Sequence, residues 1–430
     1  MRSKWLLVVV ALGVMAPVAW ATSYASGITS LGGGDYSFVL NQDATDVVIQ
    51  RPGDTPLVLG ALSKGTHTFN VGAGTGYEIR VYSSAAPGWS QISVDSTPTS
   101  FYSPAGISVN KYAGSANFGR LYVSNAVAGT TAFGRVSQDG IYSLQADMVD
   151  TGFHTGGWDW AGSSGPFKST IGPDGHLYVA DFSDDLVVEF SADMATATGL
   201  IDATNKTTNQ WVESIYVQGT QAAGNRKIYL VNSNYNDNDR KGLIQYDLSG
   251  NATATPGDTG MQYIGPSYFA FYPRDVARDS NGDWYMCQFR FDPTQAPAIS
   301  KFLDGPPPIN TAAWETPLAA PYNGAYGIDI FEPEGWVAYG NYYDGWVHIF
   351  DMDDGSYVGG FDAGSRVRDV AFDAAGNLYT VDNLTEWLRV WSPGGDYAAI
   401  TSSNGTFYLV PEPAGLILLA VGGLMLRRRR

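Results

Sequence analysis

This chain of 430 residues holds one cysteine, Cys287. No intramolecular disulfide can form, so the fold must rest on an apolar core rather than on covalent staples. It has only four histidines, His67, His154, His176 and His348, and none stands in an H-x-H, HExxH or Cys/His spacing. No transition-metal site is signalled by that pattern. A Gly-x-Ser-x-Gly elbow and a phosphate-binding Gly-Lys-Ser/Thr loop are both missing. Charge is scarce too, at 16% of residues, and positive charge scarcest: 25 Lys and Arg stand against 42 Asp and Glu. A surface of net charge −17 repels nucleic acid and anionic membranes, so neither is an expected partner. Together these absences point away from catalysis and towards binding.

Glycine and aromatic residues fill the gap: 51 Gly, 26 Tyr and 12 Trp. Strands favour aromatic side chains and tight turns need glycine, so the composition suits a turn-rich all-β protein. The chain also repeats itself between residues 104 and 395. Six segments carry a strand, a Gly-containing turn, a second strand with an aromatic residue near its start, and a polar residue where that strand ends. Two examples are "PFKSTIGPDGHLYVAD" and "VRDVAFDAAGNLYTVD". The matching second-strand positions are Tyr122, Tyr178, Tyr229, Tyr285, Val337 and Tyr379, spaced by 42 to 56 residues. A third strand follows each time, as in "LVVEFSADM" and "WVHIFDMDDG". Units of this length with three or four short strands are the mark of a propeller blade, which buries its faces only by stacking in a ring. The pattern resembles NHL-type β-propellers: Pro104, Gly106, Ile107 and Val109 match its start, and Asp174, Gly175, Leu177, Tyr178, Val179 and Asp181 its second strand. The fifth repeat departs, with Gly340 at the polar position.

Residues 22–98 differ. Short β runs alternate with turns such as Pro52-Gly53-Asp54 and Lys64-Gly65. This reads as a small immunoglobulin-like β-sandwich. "FVLNQDATDVVI" and "LSKGTHTFNVG" resemble the type found in flagellar hook-capping proteins, with Asn70-Val71-Gly72 where that family has Trp-Asp-Gly. The expected fold is therefore all-β: a six-bladed β-propeller over 99–409, preceded by the sandwich.

Both ends read as address labels. Arg2 and Lys4, the apolar run Trp5 to Met15, and Ala19-Trp20-Ala21 have the order of a secretory signal peptide with its cleavage site, residues 1–21. At the other end, Pro411-Glu412-Pro413 precedes the apolar stretch Ala414 to Leu426 and then Arg427, Arg428, Arg429 and Arg430. Thirteen helical residues span roughly 20 Å, short of a ~30 Å hydrocarbon core, yet four arginines would hold that end in the cytoplasm. Residues 410–430 resemble the PEP-CTERM sorting signal of Gram-negative bacteria. That resemblance implies export, transient anchoring in the inner membrane through a transmembrane helix, and processing by an exosortase. It also implies a mature form secreted or held at the cell surface, with exopolysaccharide or another surface protein as its partner.

The repeats also nominate a site. Aligned, they put Lys168, Glu213, Arg274, Asp275, Arg368 and Asp369 at the start of first strands, and Asn125, Asp181, Asn232, Gln288 and Asp382 at the ends of second strands. Around a propeller axis, both sets would crowd one mouth. They are candidates for binding a polar ligand, and Asp181, Asn232 and Asp382 for holding a Ca²⁺-like ion through oxygen. Neighbouring Arg and Asp could equally pair with each other and fill the channel. Propellers of the gluconolactonase type hold a divalent cation on the axis, and the residue types here are similar. A metal-dependent hydrolase or lyase is thus the alternative to a non-catalytic binding or matrix-associated module. Two aromatic loops are further candidates for stacking on sugars: Trp158 and Trp160 in "FHTGGWDWAGSSGPF", and Tyr342, Tyr343 and Trp346 in "GNYYDGW".

The sorting label makes a prediction of its own. Mass spectrometry of the secreted protein should find a C-terminus near Pro411 to Pro413; intact Arg430 on protein in the medium would contradict it.

Overall fold

The computed structural model describes residues 22–411, apart from 73–75, 86, 161–163, 203, 206–209, 235, 238, 291–295, 319–320 and 322. The two expected address labels lie outside the described residues, except for the backbone at Pro411. Among the described residues there is no α-helix, and no helix is long and apolar enough to cross a membrane.

Six four-stranded antiparallel sheets follow one another between residues 104 and 392. Their first strands are Pro104–Val109, Ser169–Ile171, Val212–Gln218, Tyr272–Arg278, Ala325–Phe331 and Val367–Phe372. Each touches the next, and the last touches the first, so the sheets close into a ring around an axis. This is β-propeller architecture. Between sheets lie the apolar clusters, for example Tyr178, Ile215, Ile228 and Leu230 between the second and third. The second-strand tyrosine explains itself here in three of the repeats, those of Tyr178, Tyr285 and Tyr379. Tyr178 Oη donates to Asp174 at 2.8 Å, and Tyr285 Oη to Asp279 at 3.2 Å. The buried tyrosine thus clamps the turn between first and second strands.

The last sheet is closed by the other end of the chain. Its first three strands are Val367–Phe372, Leu378–Asp382 and Trp387–Ser392, and its fourth is Ser90–Gln91, paired with Trp391 and Ser392. Gly88 N donates to Pro393 O at 2.8 Å and Ile92 N to Val390 O at 2.9 Å on either side of this short strand. Arg389 holds Asp95 in a bidentate pair, at 2.7 and 3.0 Å.

Two further sheets form a sandwich. One has the order Ala25–Gly32, Asp35–Leu40, Gly65–Asn70; the other Phe407–Pro411, Gly395–Ser402, Glu78–Ala85, Ala44–Gln50, Leu57–Leu62. Alternate residues point inward, so Phe38, Val47, Ile49, Ile79 and Val81 are buried in one cluster. The sequence pattern bounds this unit at 22–98 and runs the propeller to 409. The hairpin from Gly395 to Pro411 instead pairs with Glu78–Ala85 in the sandwich, and Ser90–Gln91 serves the propeller. Pairing between chain ends leaves no local pattern to read.

The sandwich sits on the turns between first and second strands of the first and sixth sheets. Tyr24 packs edge-on against Phe118 and Phe407, with centroids 5.6 and 5.8 Å away, and Asn377 Nδ2 donates to Thr22 O at 3.0 Å. A chain ending at Gly394 loses the hairpin and bares the Glu78–Ala85 edge. It should unfold in urea at a lower midpoint and with less cooperativity than the longer chain; an unchanged transition would contradict the pairing.

Candidate functional site

Five of the six first strands carry a β-bulge near their start, between Pro104 and Gly106, Val212 and Ser214, Pro273 and Asp275, Ala325 and Gly327, and Val367 and Asp369. A bulge sets two residues against one, so strict alternation fails there. The second sheet does the same just before its strand: Phe167 N donates to Ala180 O, and Ala180 N to Lys168 O. The sequence-nominated residues therefore fall into two tiers. Lys168, Asp275 and Asp369 share one tier with Gly106, Ser214 and Gly327. Glu213, Arg274 and Arg368 stand one residue earlier, with Ala105, Phe167 and Tyr326.

The first tier forms a buried knot. Lys168 Nζ lies 2.6 Å from Asp369 Oδ1 and 3.3 Å from Asp275 Oδ2, and donates to Arg368 O at 3.1 Å. Its side chain is 1% exposed. Asp369 Oδ2 accepts Ile107 N at 2.9 Å; Asp275 Oδ2 accepts Ile328 N at 2.9 Å, and its other oxygen accepts the Ser214 hydroxyl. Lys168 comes from the second sheet, Asp369 from the sixth and Asp275 from the fourth, and the donors to the two carboxylates come from the first, fifth and third. All six sheets meet in one polar cluster. Burial pushes the Asp369 carboxyl up, against the pull of Lys168. Burial would discharge the Lys168 ammonium, but the two carboxylates outweigh it and hold its pKa above the usual lysine value. Cys287 lies against this knot, fully buried, and burial raises its thiol well above the ordinary range. It is therefore held as the unreactive thiol.

Two glycines make room. A Cβ at Gly327 would lie 2.3 Å from Asp369 Oδ1, and one at Gly106 2.5 Å from Phe167 O.

The second tier is a layer of guanidinium and aromatic groups. Arg274 pairs with Glu213 at 2.5 Å and lies over Tyr272, Phe289 and Tyr326. Arg368 lies over Phe167 and Tyr326, and Arg366 over Tyr342. Tyr342 stacks on Tyr326 with centroids 5.2 Å apart, and Tyr343 packs on Phe289. The structure thus brings the tyrosines of "GNYYDGW" to the charged mouth, which sequence alone left as a separate loop.

Other expectations fare differently. Asp181, Asn232 and Asp382 are each consumed within their own sheet. Asp181 accepts Trp158 Nε1 and the backbone N–H of Ser183; Asn232 accepts Trp211 N and Asn234 N; Asp382 accepts the N–H groups of Arg366, Leu384 and Thr385. Asn125 accepts Ser103 N in the same way. These polar residues recur because each ties the turn that leaves the second strand. Their oxygens do not form a cation cage at the axis. The fifth repeat follows suit through Asn341, opposite Ala325, and accepts Tyr343 N at 2.8 Å. The sequence alignment took Gly340 and Val337 there, one residue early, because Glu332–Glu334 form a 3-10 turn in place of the usual Asp-Gly turn. Trp160 is 2% exposed and stacks on Phe190, so it offers no platform to a sugar; Trp158 is part-buried beside it.

Behind the knot, a cavity of about 480 Å³ runs along the axis and opens among the turns at the opposite end. Ile107, Val276, Ile328 and Val370 wall it, Ser108 and Ser169 hydrogen-bond across it at 2.9 Å, and Lys111 pairs with Asp329 at its rim at 2.7 Å. Asp373 also lies at that rim, beside the sandwich.

Among the described residues, Asp174, His176 and Glu189 form the one group of three with metal-type ligand atoms in reach of each other. Glu189 takes His176 Nδ1 at 2.7 Å and the buried Arg226 at 2.9 Å, and Asp174 takes the Tyr178 hydroxyl. The cluster supplies its own cations.

No family model matches the chain, and neither does any curated protein. Among solved structures, a protein of unknown function from Bacteroides thetaiotaomicron is 12% identical, with a TM-score of 0.46 over 86% of this chain and 98% of that one. A gluconolactonase from Xanthomonas campestris is 10% identical, at 0.46 over 73% and 89%. The virginiamycin B lyase of Staphylococcus aureus is 15% identical, at 0.38 over 72% and 85%. Scores and identities this low say nothing of what this chain binds or does. Its class, an all-β propeller protein with an added sandwich, rests on the strand order above.

Two measurements probe the site. Gly327→Ala should cost about 1–3 kcal/mol by overpacking the knot. Gly359→Ala, where a new Cβ meets nothing within 4 Å, should be close to neutral; equal costs would remove the close-approach argument. Burial raises the Asp373 carboxyl to about 7, against the hydrogen bonds from Asn377. The folded state then binds its proton more tightly than the unfolded chain, so stability should fall as pH rises from about 4 to about 7. Asp373→Asn should flatten that slope, and an unaltered slope would assign it elsewhere.

Proposed function

We propose that the chain is an exported, non-catalytic binding propeller of the cell exterior. In this reading it is six-bladed and carries an immunoglobulin-like sandwich. The N-terminal signal sends it across the inner membrane. An exosortase releases it at Pro411-Glu412-Pro413, and it then associates with exopolysaccharide or with another surface protein.

The observation that supports the non-catalytic reading best is the position of Lys168. A hydrolase or lyase of the gluconolactonase kind needs a divalent cation among axial carboxylates, where it polarises a carbonyl and acidifies a water. Here the ammonium of Lys168 stands between Asp275 and Asp369, and their remaining oxygens take Ile107 N, Ile328 N and the Ser214 hydroxyl. Calcium prefers six to eight oxygen ligands. An ammonium at the centre repels it, and the oxygens of Asp181, Asn232 and Asp382 are spent on turns. The residues do not fit an axial Ca²⁺.

The test uses the purified mature protein. Metal analysis should find no stoichiometric calcium, added Ca²⁺ should leave the melting temperature unchanged, and lactones should not be hydrolysed. A Ca²⁺-dependent rise in melting temperature that Asp181→Ala abolishes, together with lactone hydrolysis, would establish the enzyme instead.

A further inference from the structure

We propose that the bulged mouth of the channel binds an acidic saccharide, with Arg366 and Arg368 as the groups that take its carboxylates and Tyr342 and Tyr343 as the faces against its rings. The proposal rests on the binding reading above and names the ligand class.

Arg80, Arg135, Arg226, Arg274, Arg278 and Arg389 each have a carboxylate within 3.4 Å. In a chain with 42 acidic residues and 25 basic ones, that is the expected state of a guanidinium. Among the described residues, the side chains of Arg366 and Arg368 have neither an ion pair nor a hydrogen bond. Aromatic rings hold them instead. The Arg368 Cζ is 5.2 Å from the Phe167 centroid and 5.6 Å from that of Tyr326, and the Arg366 Cζ is 5.3 Å from that of Tyr342. Stacking fixes a guanidinium through its face and leaves its N–H fork open for a planar anion. Arg366 precedes the strand and Arg368 lies in the bulge at its start, but the rings they lie over, Tyr342 and Tyr326, stack on each other at 5.2 Å, which brings both guanidiniums to one aromatic layer.

The ligand's shape follows from what surrounds the forks. Tyr342 continues the stack on Tyr326, and Tyr343 is 43% exposed beside it. A carboxylate meets guanidinium forks in bidentate fashion, while the C–H face of a pyranose meets a tyrosine ring. An acidic sugar chain presents both in alternation; a neutral glycan lacks the first and an acidic peptide the second. The overall charge of −17 does not forbid this, because fields are screened beyond about 8 Å at physiological salt and the local groups decide.

Calorimetry on the mature protein with hexagalacturonate, cellohexaose and poly-glutamate tests it. Hexagalacturonate should bind and cellohexaose and poly-glutamate should not. Arg366→Ala and Arg368→Gln should each weaken hexagalacturonate by about tenfold or more, the loss of one charged hydrogen-bonded contact, with melting temperatures retained. Arg80→Ala, in the sandwich, should bind as the parent does. Undiminished binding in both mouth variants, equal binding of either control ligand, or no binding of hexagalacturonate would overturn the proposal. Mass spectrometry of the recovered hexamer separates the two levels: shortened products would defeat the non-catalytic reading, whereas an intact hexamer with unaffected variants would defeat only the proposed site.

Discussion

One buried ammonium carries the architecture. Lys168 sits on the axis of the ring with two carboxylates against it, and through them it reaches every sheet. Taking three charges out of water costs about several kcal/mol per ion. That cost is met only where the partners are close and every remaining oxygen has a donor, and both hold here. The arrangement specifies as well as stabilises. The ring has a single lysine and two aspartates in this tier, with two glycines and a serine between, so each sheet has one place in the order. The glycines are needed because the neighbouring Asp369 and Phe167–Lys168 backbone occupy the volume a side chain would take.

The second constraint is closure. A ring of sheets has two edges until its ends meet, and exposed edges invite pairing with other chains. This protein closes twice. Ser90–Gln91 completes the last propeller sheet, and Gly395–Ser402 runs along Glu78–Ala85 in the sandwich. The sandwich is thus a clasp made from both ends of the described chain, as much as an added module. Its dock on the first and sixth sheets, through Tyr24, Phe118, Phe407 and Asn377, lies across the seam where the ring begins and ends.

Much of this was legible in the sequence. The repeat gave the ring, because tyrosine, turn glycine and terminal polar residue recur at a blade-like spacing. The identity of the axial charges was legible too, though not their roles. Bulges hid the tiers: Arg274-Asp275 and Arg368-Asp369 look like one position in an alignment, and only a doubled inward residue separates a knot-forming aspartate from a stacked arginine. Two successive polar residues at the start of an otherwise apolar strand were the available signal. The terminal Asn and Asp residues misled for a different reason. Oxygen atoms that satisfy backbone N–H groups in a turn have the same composition as a cation cage. The clasp was illegible, since a hairpin at residue 395 and a strand at residue 78 share no local pattern. Trp160 failed as a platform because a glycine-rich loop does not by itself say which way its aromatic residues turn.

The proposed function follows from the knot. Lys168 occupies the place an axial metal ion would take, and the layer of stacked arginines and tyrosines outside it is the surface we propose for recognition. The most direct test of the central claim is a double-mutant cycle in urea on Lys168→Met and Asp369→Asn, at neutral pH in the presence of a chelator. Each single change should cost about 3–5 kcal/mol by breaking a buried ion pair: Lys168→Met leaves two buried carboxylates without their cation, and Asp369→Asn leaves the ammonium with Asp275 alone. The double variant should lose less than the two together, with a coupling of about 0.5–3 kcal/mol. Additive losses, or a Lys168→Met protein as stable as its parent, would contradict the claim that this ammonium holds the ring.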